Sequence, residues 1–277
     1  MRNIREFWLL AVVIMLGLAG CNESKQEKIP MTTTTQVSAP QWQALEKKRV
    51  VFGHQSVGNN ILSGVEQLAA RDGIKLAIHK QRTAPTANGI SHFGIGENGN
   101  PKSKIQDFAA AIDAGAAQGA DVAMMKLCYE DFNADTDAKQ MAKDYIDSLE
   151  SLAQKHPATR FVAVTAPLMA VQTGPKAWIK RLIGKQPNGT VDNVRRGEFN
   201  TLLRERYLAD GRLFDLAKFE TEATGKPCMA QVDGKDVEAL CPEITSDGGH
   251  LNEHGQTLVG AAFVNFVSSL STKQVVK

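Results

Sequence analysis

An aspartate and a histidine near the C-terminus, Asp247 and His250, have residue types and a spacing that suggest chemistry. They stand among glycines in the stretch "SDGGHLNEHG", just before the last amphipathic segment of the chain. A carboxylate at this spacing can orient a histidine that acts as a general base, or both side chains can ligate a metal ion. The stretch can also form a turn that carries a surface histidine. The interpretation depends on whether the chain supplies a nucleophile in a suitable place.

Ser56 is the serine best placed to be that nucleophile. It lies in "VVFGHQSVGNNI", on the turn predicted between the first strand and the first helix. Its backbone N–H would lie near the positive end of the helix, where a developing oxyanion is stabilised. A serine at this position is also a common helix N-cap, and the neighbouring His54 and Gln55 can satisfy loop backbone in a similar way. The residues alone leave both interpretations of Ser56 open.

Three further side chains are better explained by structure than by catalysis. Cys128 could be a nucleophile, but a cysteine at the end of a strand is more often a small buried apolar residue. His254 could join Asp247 and His250 around a metal ion, but two intervening glycines interrupt the helix that would align them. We therefore expect His254 to be solvated or to cap a helix, and Asp215, in "LFDLA", to brace a loop.

Strand-like and helix-like segments alternate along the chain and must position these residues. Short apolar runs that predict strands are "RVVFG", "IKLAIH", "DVAMMKLC", "RFVAVTAPL" and "RLFDLA", with helical patterns between them and a glycine-rich loop over 86–100. Strands that are apolar throughout and separated by helices predict a mostly parallel sheet covered on both faces. The expected fold class is α/β, as a single three-layer α/β/α sandwich. Ligands bind such sheets at the carboxyl ends of the strands, where Ser56 and the "SDGGHLN" loop would meet.

With a serine on the first turn and a terminal D-x-x-H, the chain resembles the SGNH (GDSL-like) hydrolases. That family ends in D-x-x-H, followed by Leu or Pro, then Asn and Gly; here the motif is "DGGHLN", Asp247 to Asn252, and a glycine follows. The element order extends the resemblance over 49–270 and implies the family's flavodoxin-like sandwich. It also implies a triad in which Ser56 attacks, His250 transfers the proton and Asp247 orients the imidazole. No metal or organic cofactor is required.

The other motifs of that family match less closely. Its G-D-S stands here as "GHQS", with one residue more and no aspartate. Its second motif, a glycine whose N–H binds the oxyanion, falls in "HFGIGENGNP", where we favour Gly96 over Gly94 and Gly99. Its G-x-N-D stands as "CYED", so Glu130 replaces the asparagine that donates to the oxyanion.

The glutamate in the third motif leaves the oxyanion without one of the hydrogen-bond donors that the family uses. Losing one oxyanion donor costs about 10²–10³ in rate, and a carboxylate in its place would repel the oxyanion. If Glu130 points away, Asn98 or Asn60 can supply the missing donor. Asp131 is expected to be structural and to hold loops through backbone N–H groups.

The expected function is a serine esterase that hydrolyses acyl or acetyl esters linked to carbohydrates or lipids, as the resemblance and an envelope location imply. Glu130 keeps open a different class, a non-catalytic protein that holds an envelope glycan in the same crevice. An acyltransferase with the same triad is a third alternative.

A composition of 43% hydrophobic and 22% charged residues suits a globular domain, and a net charge of +2 without a basic block argues against nucleic acid as a partner.

The N-terminus predicts export and lipid anchoring. Arginines precede an apolar run that is shorter than the ~20 residues of a bilayer span, as in an export signal. The tetrapeptide "LAGC" resembles the bacterial lipobox, which implies a signal peptide over 1–20 and a lipid on Cys21. Asn22 after that cysteine favours the outer membrane under the usual Gram-negative sorting rule. A polar stretch over 21–40 predicts a flexible tether, and 41–277 the domain.

Two later cysteines, Cys228 and Cys241, bracket the stretch "CMAQVDGKDVEALC". Asp233 and Gly234 at its middle predict a hairpin turn, whose strands would bring the two cysteines close together. Because an exported protein can keep a disulfide, we expect a bridge between them rather than two unrelated thiols.

Overall fold

The computed structural model describes residues 35–271. The predicted signal peptide, Cys21 and most of the predicted tether lie outside the described residues. Within this part of the chain, no helix combines the length and apolar character needed to cross a membrane. The helices are α1 (Ala39–Glu46), α2 (Ser56–Arg71), α3 (Pro101–Ala111), α4 (Ala138–Lys155), α5 (Gly174–Leu182), α6 (Thr190–Tyr207), α7 (Leu216–Glu222) and α8 (Glu253–Ser269). The strands are β1 (Arg49–His54), β2 (Ile78–Lys80), β3 (Gly89–Gly94), β4 (Val122–Met125), β5 (Arg160–Val164), β6 (Leu213–Phe214), β7 (Met229–Val232) and β8 (Lys235–Glu238).

Six strands form the main sheet, in the order β2–β3–β1–β4–β5–β6, and every neighbouring pair is parallel. Alternate side chains of a strand point to opposite faces. Val50 and Phe52 of β1 pack in one core with α1, α2 and α8, whereas Val51 packs in a second core with α3, α4 and α6. Helices therefore cover both faces, and the predicted three-layer α/β/α sandwich is confirmed.

A strand inside the glycine-rich segment is the main difference from the predicted elements. The composition of 86–100 predicts a loop, but Gly89–Gly94 forms β3, which pairs with β1 along its length. The preceding run "IKLAIH" supplies only the short edge strand β2. Ser91 and His92 interrupt the apolar pattern of β3. Ser91 Oγ accepts a hydrogen bond from Gln81, and His92 bonds to His54 of β1. The glycine loop is therefore shorter than predicted and follows β3 directly.

The folded domain begins slightly before residue 41, where the sequence predicts the end of the tether. Val37 is already buried, and α1 begins at Ala39. Trp42 of α1 is buried, and its indole N–H donates to Asp72 at the end of α2 over 2.9 Å. These contacts hold the first helix on the domain.

The predicted hairpin and the predicted disulfide are both confirmed. The strands β7 and β8 pair antiparallel, and Asp233 and Gly234 between them have φ values of 50° and 76°. Two consecutive positive φ angles are what a two-residue type I′ turn requires. Cys228 and Cys241 form a disulfide at the base of this hairpin, with their Cα atoms 5.3 Å apart.

Two glycines let α2 and α8 pack with their backbones in close contact. A Cβ on Gly64 would lie 1.8 Å from the carbonyl oxygen of Gln256, and one on Gly260 would lie 2.7 Å from the carbonyl carbon of Gly64. A methyl group at either position would therefore push the helices apart. This packing joins the helix that begins with Ser56 to the helix that follows the "SDGGHLN" loop.

Candidate active site

The terminal loop holds Asp247 and His250 as a hydrogen-bonded pair. Asp247 Oδ2 lies 2.7 Å from His250 Nδ1, and Asp247 Oδ1 accepts the backbone N–H groups of Gly249 and His250 at 2.9 and 2.8 Å. These bonds, led by the Gly249 N–H, hold the pKa of Asp247 well below its usual range. Since an ionised carboxylate can only accept, Nδ1 carries the proton and Nε2 remains a base. The side chains are 57% and 38% exposed, so a substrate can reach them.

A metal site that includes His254 is not formed by the described residues. Among them, the one group of three side chains with ligating atoms close together is Cys228, Cys241 and Glu243, and its two cysteines are bonded to each other. His254 is exposed on the first turn of α8, which confirms that it is solvated. Of the interpretations of the terminal stretch, the geometry favours a base with its orienting carboxylate.

Ser56 is the first residue of α2 and is half-buried. Gln55 occupies the N-cap position and no side chain caps this helix, so the interpretation of Ser56 as a cap is wrong. Within residues 35–271 the Ser56 hydroxyl has no hydrogen-bond partner. Its backbone N–H belongs to the first turn, where the helix provides no acceptor and the dipole is positive.

A chain of partly buried hydrogen bonds holds the turn before Ser56. The buried His54 approaches the Gln55 carbonyl oxygen with Nδ1, at 2.8 Å, and His92 Nδ1 with Nε2, at 3.0 Å. A carbonyl can only accept, so His54 Nδ1 carries its proton and Nε2 accepts from His92. Burial lowers the pKa of His54 to about 3, with a smaller contribution from Lys126, so the ring stays neutral. Both ring nitrogens are therefore used to position the turn.

The helix of Ser56 and the loop of His250 meet through a direct hydrogen bond. Asn60 lies one turn after Ser56 on α2, and its Oδ1 accepts the N–H of Leu251 at 3.2 Å. Leu251 follows His250 directly, so this contact ties the two candidate catalytic segments together. This bond uses only the side-chain oxygen of Asn60, so its Nδ2 group can still donate.

The loop after β4 brings Tyr129 against the candidate base. Tyr129 Oη lies 3.5 Å from Nδ1 and 3.4 Å from Nε2 of His250, and the two rings meet edge to face at 79°. Burial raises the pKa of Tyr129 to about 12, so its hydroxyl keeps its proton near neutral pH. The buried guanidinium of Arg196 donates to the Tyr129 carbonyl at 2.7 and 3.2 Å. This residue is therefore held from α6 while its hydroxyl lies at the site.

The predicted oxyanion role of Gly96 is not supported by its hydrogen bonding. Its N–H donates to Asp107 Oδ2 at 2.9 Å, and its φ of 45° sets the glycine in the left-handed region. Asp107 is in turn paired with Arg82. The Gly96 N–H is thus occupied by a carboxylate and is unavailable to an oxyanion.

A buried lysine orients the side-chain amide of Asn98. Lys104 Nζ donates to Asn98 Oδ1 at 2.8 Å and to Asp131 at 2.7 Å. A lysine can only donate, so the oxygen of Asn98 must face it and the exposed Nδ2 group points elsewhere. Asp131 also accepts the N–H groups of Gly99 and Cys128, which confirms its predicted role in holding loops. The side chain of Glu130 is exposed.

Two residues predicted to be structural are confirmed as such. Cys128 is fully buried in the core shared with α2 and α8. Asp215 caps α7 by accepting the Lys218 N–H at 3.3 Å, and its carboxylate pairs with Arg204 at 2.7 Å. Neither side chain is available for catalysis in the crevice.

The sequence interpretation missed several polar residues that build the site. Tyr129 stands in "CYEDF", a loop already expected at the crevice, so its position was a usable signal. Lys126 interrupts an apolar strand, and it is fully buried with its pKa lowered to about 8 by burial. His92 and Lys104 carry no such signal, because their partners lie on other elements.

Comparisons with known proteins identify distant structural neighbours. No protein-family model matches the sequence, and neither does any curated protein. A lipase/acylhydrolase from Enterococcus faecalis is 15% identical, with 82% of this chain and 100% of that chain covered and a TM-score of 0.47. A psychrotrophic esterase from Pseudoalteromonas sp. is 10% identical, with 78% and 94% covered and a TM-score of 0.42. A peptidoglycan O-acetylesterase is 12% identical, with 65% and 46% covered and a TM-score of 0.40.

All three TM-scores lie below 0.5 and all identities are 15% or less. The proposed function therefore rests on the side chains of the site and not on these neighbours.

Proposed function

We propose that the protein is a serine esterase in which Ser56, His250 and Asp247 form a catalytic triad. The observation that carries the proposal is the 2.7 Å bond between Asp247 and His250 Nδ1, in a loop that is hydrogen-bonded to the helix of Ser56. It leaves Nε2 as a base, and Tyr129 Oη lies 3.4 Å from that nitrogen. A serine, a histidine base and a carboxylate that orients the base are the parts needed for acyl transfer.

In the proposed reaction, Ser56 Oγ attacks the ester carbonyl carbon while its proton moves to His250 Nε2. Asp247 stabilises the imidazolium that forms. Collapse of the tetrahedral intermediate breaks the bond to the leaving oxygen, which takes the proton from Nε2 and departs as an alcohol. Water then repeats the sequence on the acyl-serine and releases the acid. Catalytic hydrogen bonds often tighten only in the substrate complex, so the contact between Ser56 and His250 would close when substrate binds.

The oxyanion would be bound by the Ser56 N–H and by Asn98 Nδ2. The first belongs to the positive end of α2, and the second is oriented by Lys104. In this arrangement Asn98 takes the place of the asparagine that Glu130 replaces in the third motif. An exposed Glu130 carboxylate is compatible with it, since a solvated charge interacts weakly with a site some distance away.

The substrate class is proposed from the same reasoning, as acyl or acetyl esters on carbohydrates or lipids. We further propose export and lipid attachment through Cys21, on the "LAGC" sequence.

A second candidate function is a glycan-binding protein without catalysis, which is favoured by the Ser56 hydroxyl having no hydrogen-bond partner among residues 35–271. Transfer of the acyl group to a sugar hydroxyl by the same triad is the other alternative, and product analysis with and without an acceptor distinguishes it from hydrolysis.

The test is intact-mass spectrometry after incubation with a fluorophosphonate. The wild-type protein should gain one adduct on Ser56, and the Ser56→Ala and His250→Ala variants should gain none. Ser63→Ala, which changes a half-buried serine two turns further along α2, is the matched control and should still be labelled. An unlabelled wild-type protein with a normal unfolding transition would overturn the esterase in favour of the binding protein.

A further inference from the structure

The helix α5 presents a large apolar surface to solvent. Trp178, Ile179, Leu182 and the adjoining Ile183 are 61%, 51%, 64% and 63% exposed. Of the described residues, only Leu208 and Met229 are other large apolar side chains with comparable exposure, and they lie on other elements. We call the four side chains the apolar face of α5. A contiguous exposed patch of this kind marks an interaction surface more often than single exposed residues do.

The apolar face points away from the protein because of the helical repeat. At about 100° per residue, these four positions share one side of the helix, and Ala177 falls on the opposite side. Ala177 is 1% exposed, so the helix rests on the domain through this small residue. The amphipathic pattern is thus inverted, since the large apolar side chains face water where polar ones are usual.

The charges around this face suit an anionic surface. The segment 171–191 contains three lysines and one arginine and no acidic residue. Lys176 and Lys180 follow one border of the apolar face, and Lys185 lies three residues after the helix ends. Lys180 Nζ donates to the neutral Asn188 side chain at 2.6 Å, and it forms no ion pair with a carboxylate among the described residues. Two copies of this helix would repel each other, which argues against a second copy of the chain as the partner.

The segment also adjoins the candidate active site. It follows the loop after β5, in which the Ala170 N–H donates to the Gly248 carbonyl at 2.8 Å. Gly248 lies next to Asp247, and α5 begins four residues after Ala170. A surface bound by this helix would therefore lie close to the opening of the site.

We propose that α5 docks the protein onto an anionic lipid surface, with its apolar face among the acyl chains and its lysines among the headgroups. Interfacial helices combine these two features, an apolar side with aromatic and aliphatic residues and a basic border. The inference does not require Ser56 to be catalytic. It adds an interaction surface to the domain itself, independent of any lipid on Cys21.

The test uses Trp178 as the probe in the full-length protein. The emission of Trp178 is obtained as the difference between the wild-type protein and Trp178→Phe, which share Trp8 and Trp42. With phosphatidylglycerol vesicles this emission should shift to the blue, and vesicles with brominated acyl chains should quench it. Phosphatidylcholine vesicles should produce much weaker changes. Because both proteins contain the N-terminal segment, the emission of Trp8 cancels in the difference.

Matched variants separate the apolar and electrostatic contributions. Changing Lys176, Lys180 and Lys185 to Gln should weaken binding to phosphatidylglycerol vesicles, by roughly fivefold for each lysine. Leu182→Ser should also weaken it, whereas Leu208→Ser, at an equally exposed apolar position, should not.

The proposal is overturned if brominated lipids do not quench Trp178, or if the lysine changes leave binding to phosphatidylglycerol unchanged. A blue shift that depends on protein concentration without vesicles would identify a second copy as the partner and would also overturn it. Fluorophosphonate labelling in the absence of lipid is an independent measurement, so a failure here would leave the esterase standing.

Discussion

The two halves of the candidate site, the turn before Ser56 and the Asp247–His250 loop, are built in opposite ways. The turn is held by side chains from separate strands, with the half-buried His92 of β3 bonded to the buried His54 of β1. The loop is held largely from within, since the Asp247 side chain accepts the N–H groups of the two residues that follow Gly248. One half depends on the core and the other on local sequence. Changes in the loop should therefore affect chemistry alone, and changes near the turn should affect stability as well.

The largest effect is expected from His250→Gln, which removes the base at the surface. Ester hydrolysis should fall by ~10⁴–10⁶-fold in kcat, because the members of a triad act as a unit. The melting temperature should change little, since the side chain is partly exposed and outside the core. Hydrolysis of a p-nitrophenyl ester and thermal unfolding measure the two effects. His254→Gln is the control and should keep its activity; an equally large loss there would mean that the loop was distorted.

A large loss of stability is expected from Lys104→Met, which removes a buried charge near the site. Lys104 Nζ lies 2.7 Å from Asp131 Oδ1, and both side chains are fully buried. Removing the lysine leaves a buried carboxylate without its counter-charge, which costs about 3–5 kcal/mol of unfolding free energy. Urea unfolding measures the change. Lys143→Met, which removes an exposed ion pair with Asp147, should cause no measurable change.

The buried turn should also make the fold sensitive to mild acid. Burial lowers the pKa of His54 from 6.5 to about 3, so between these values the unfolded chain binds a proton that the folded chain excludes. Stability should be level above pH 6.5 and fall as the pH drops towards 3, by at most ~1.4 kcal/mol per pH unit. Urea unfolding at a series of pH values measures the slope.

Two histidine variants decide whether this acid response comes from the turn. His54→Gln should lower stability at neutral pH and flatten the curve below it, because the titrating group is gone. His254→Gln removes an exposed histidine and should leave the curve of the wild-type protein unchanged. A curve that stays equally steep in His54→Gln would assign the acid response to other groups.

The smallest effect is expected from Glu130→Gln. The side chain is exposed, so its charge is screened by water and salt. The kcat for ester hydrolysis should change by less than about threefold, since Asn98 rather than this position would donate to the oxyanion. A rise of about 10²-fold would instead show that the carboxylate suppresses activity from within the site.

Structural features formed by residues that are close in sequence could be predicted from the sequence. The continuous apolar runs identified β1, β4 and β5, and Asp233-Gly234 identified the hairpin that sets the two cysteines together. The pairing of Asp247 with His250 belongs to the same class, because the residues are three positions apart and the intervening glycines allow the turn. In each case the interacting atoms are close in sequence, so residue types and spacing are sufficient.

Features that depend on distant partners were missed or predicted wrongly. Gly96 was a reasonable oxyanion donor by motif, but its N–H is taken by Asp107 from α3. The strand β3 was predicted as a loop because Ser91 and His92 are polar. In the structure this segment pairs with β1, and His92 bonds to His54. The Lys104–Asp131 pair joins α3 to the loop after β4. No spacing or motif in the sequence predicts that these two residues pair.

The sequence by itself determined the alternation of strands and helices, the hairpin and the aspartate–histidine pair, because each depends on local backbone preferences and short spacings. Only the tertiary structure decided which polar groups remain available at the crevice. Close packing of α2 on α8, made possible by Gly64 and Gly260, joined the serine's helix to the histidine's loop. Burial then gave Lys104 and Asp131 each other as partners, since an unpaired charge in the core is costly to leave unsatisfied.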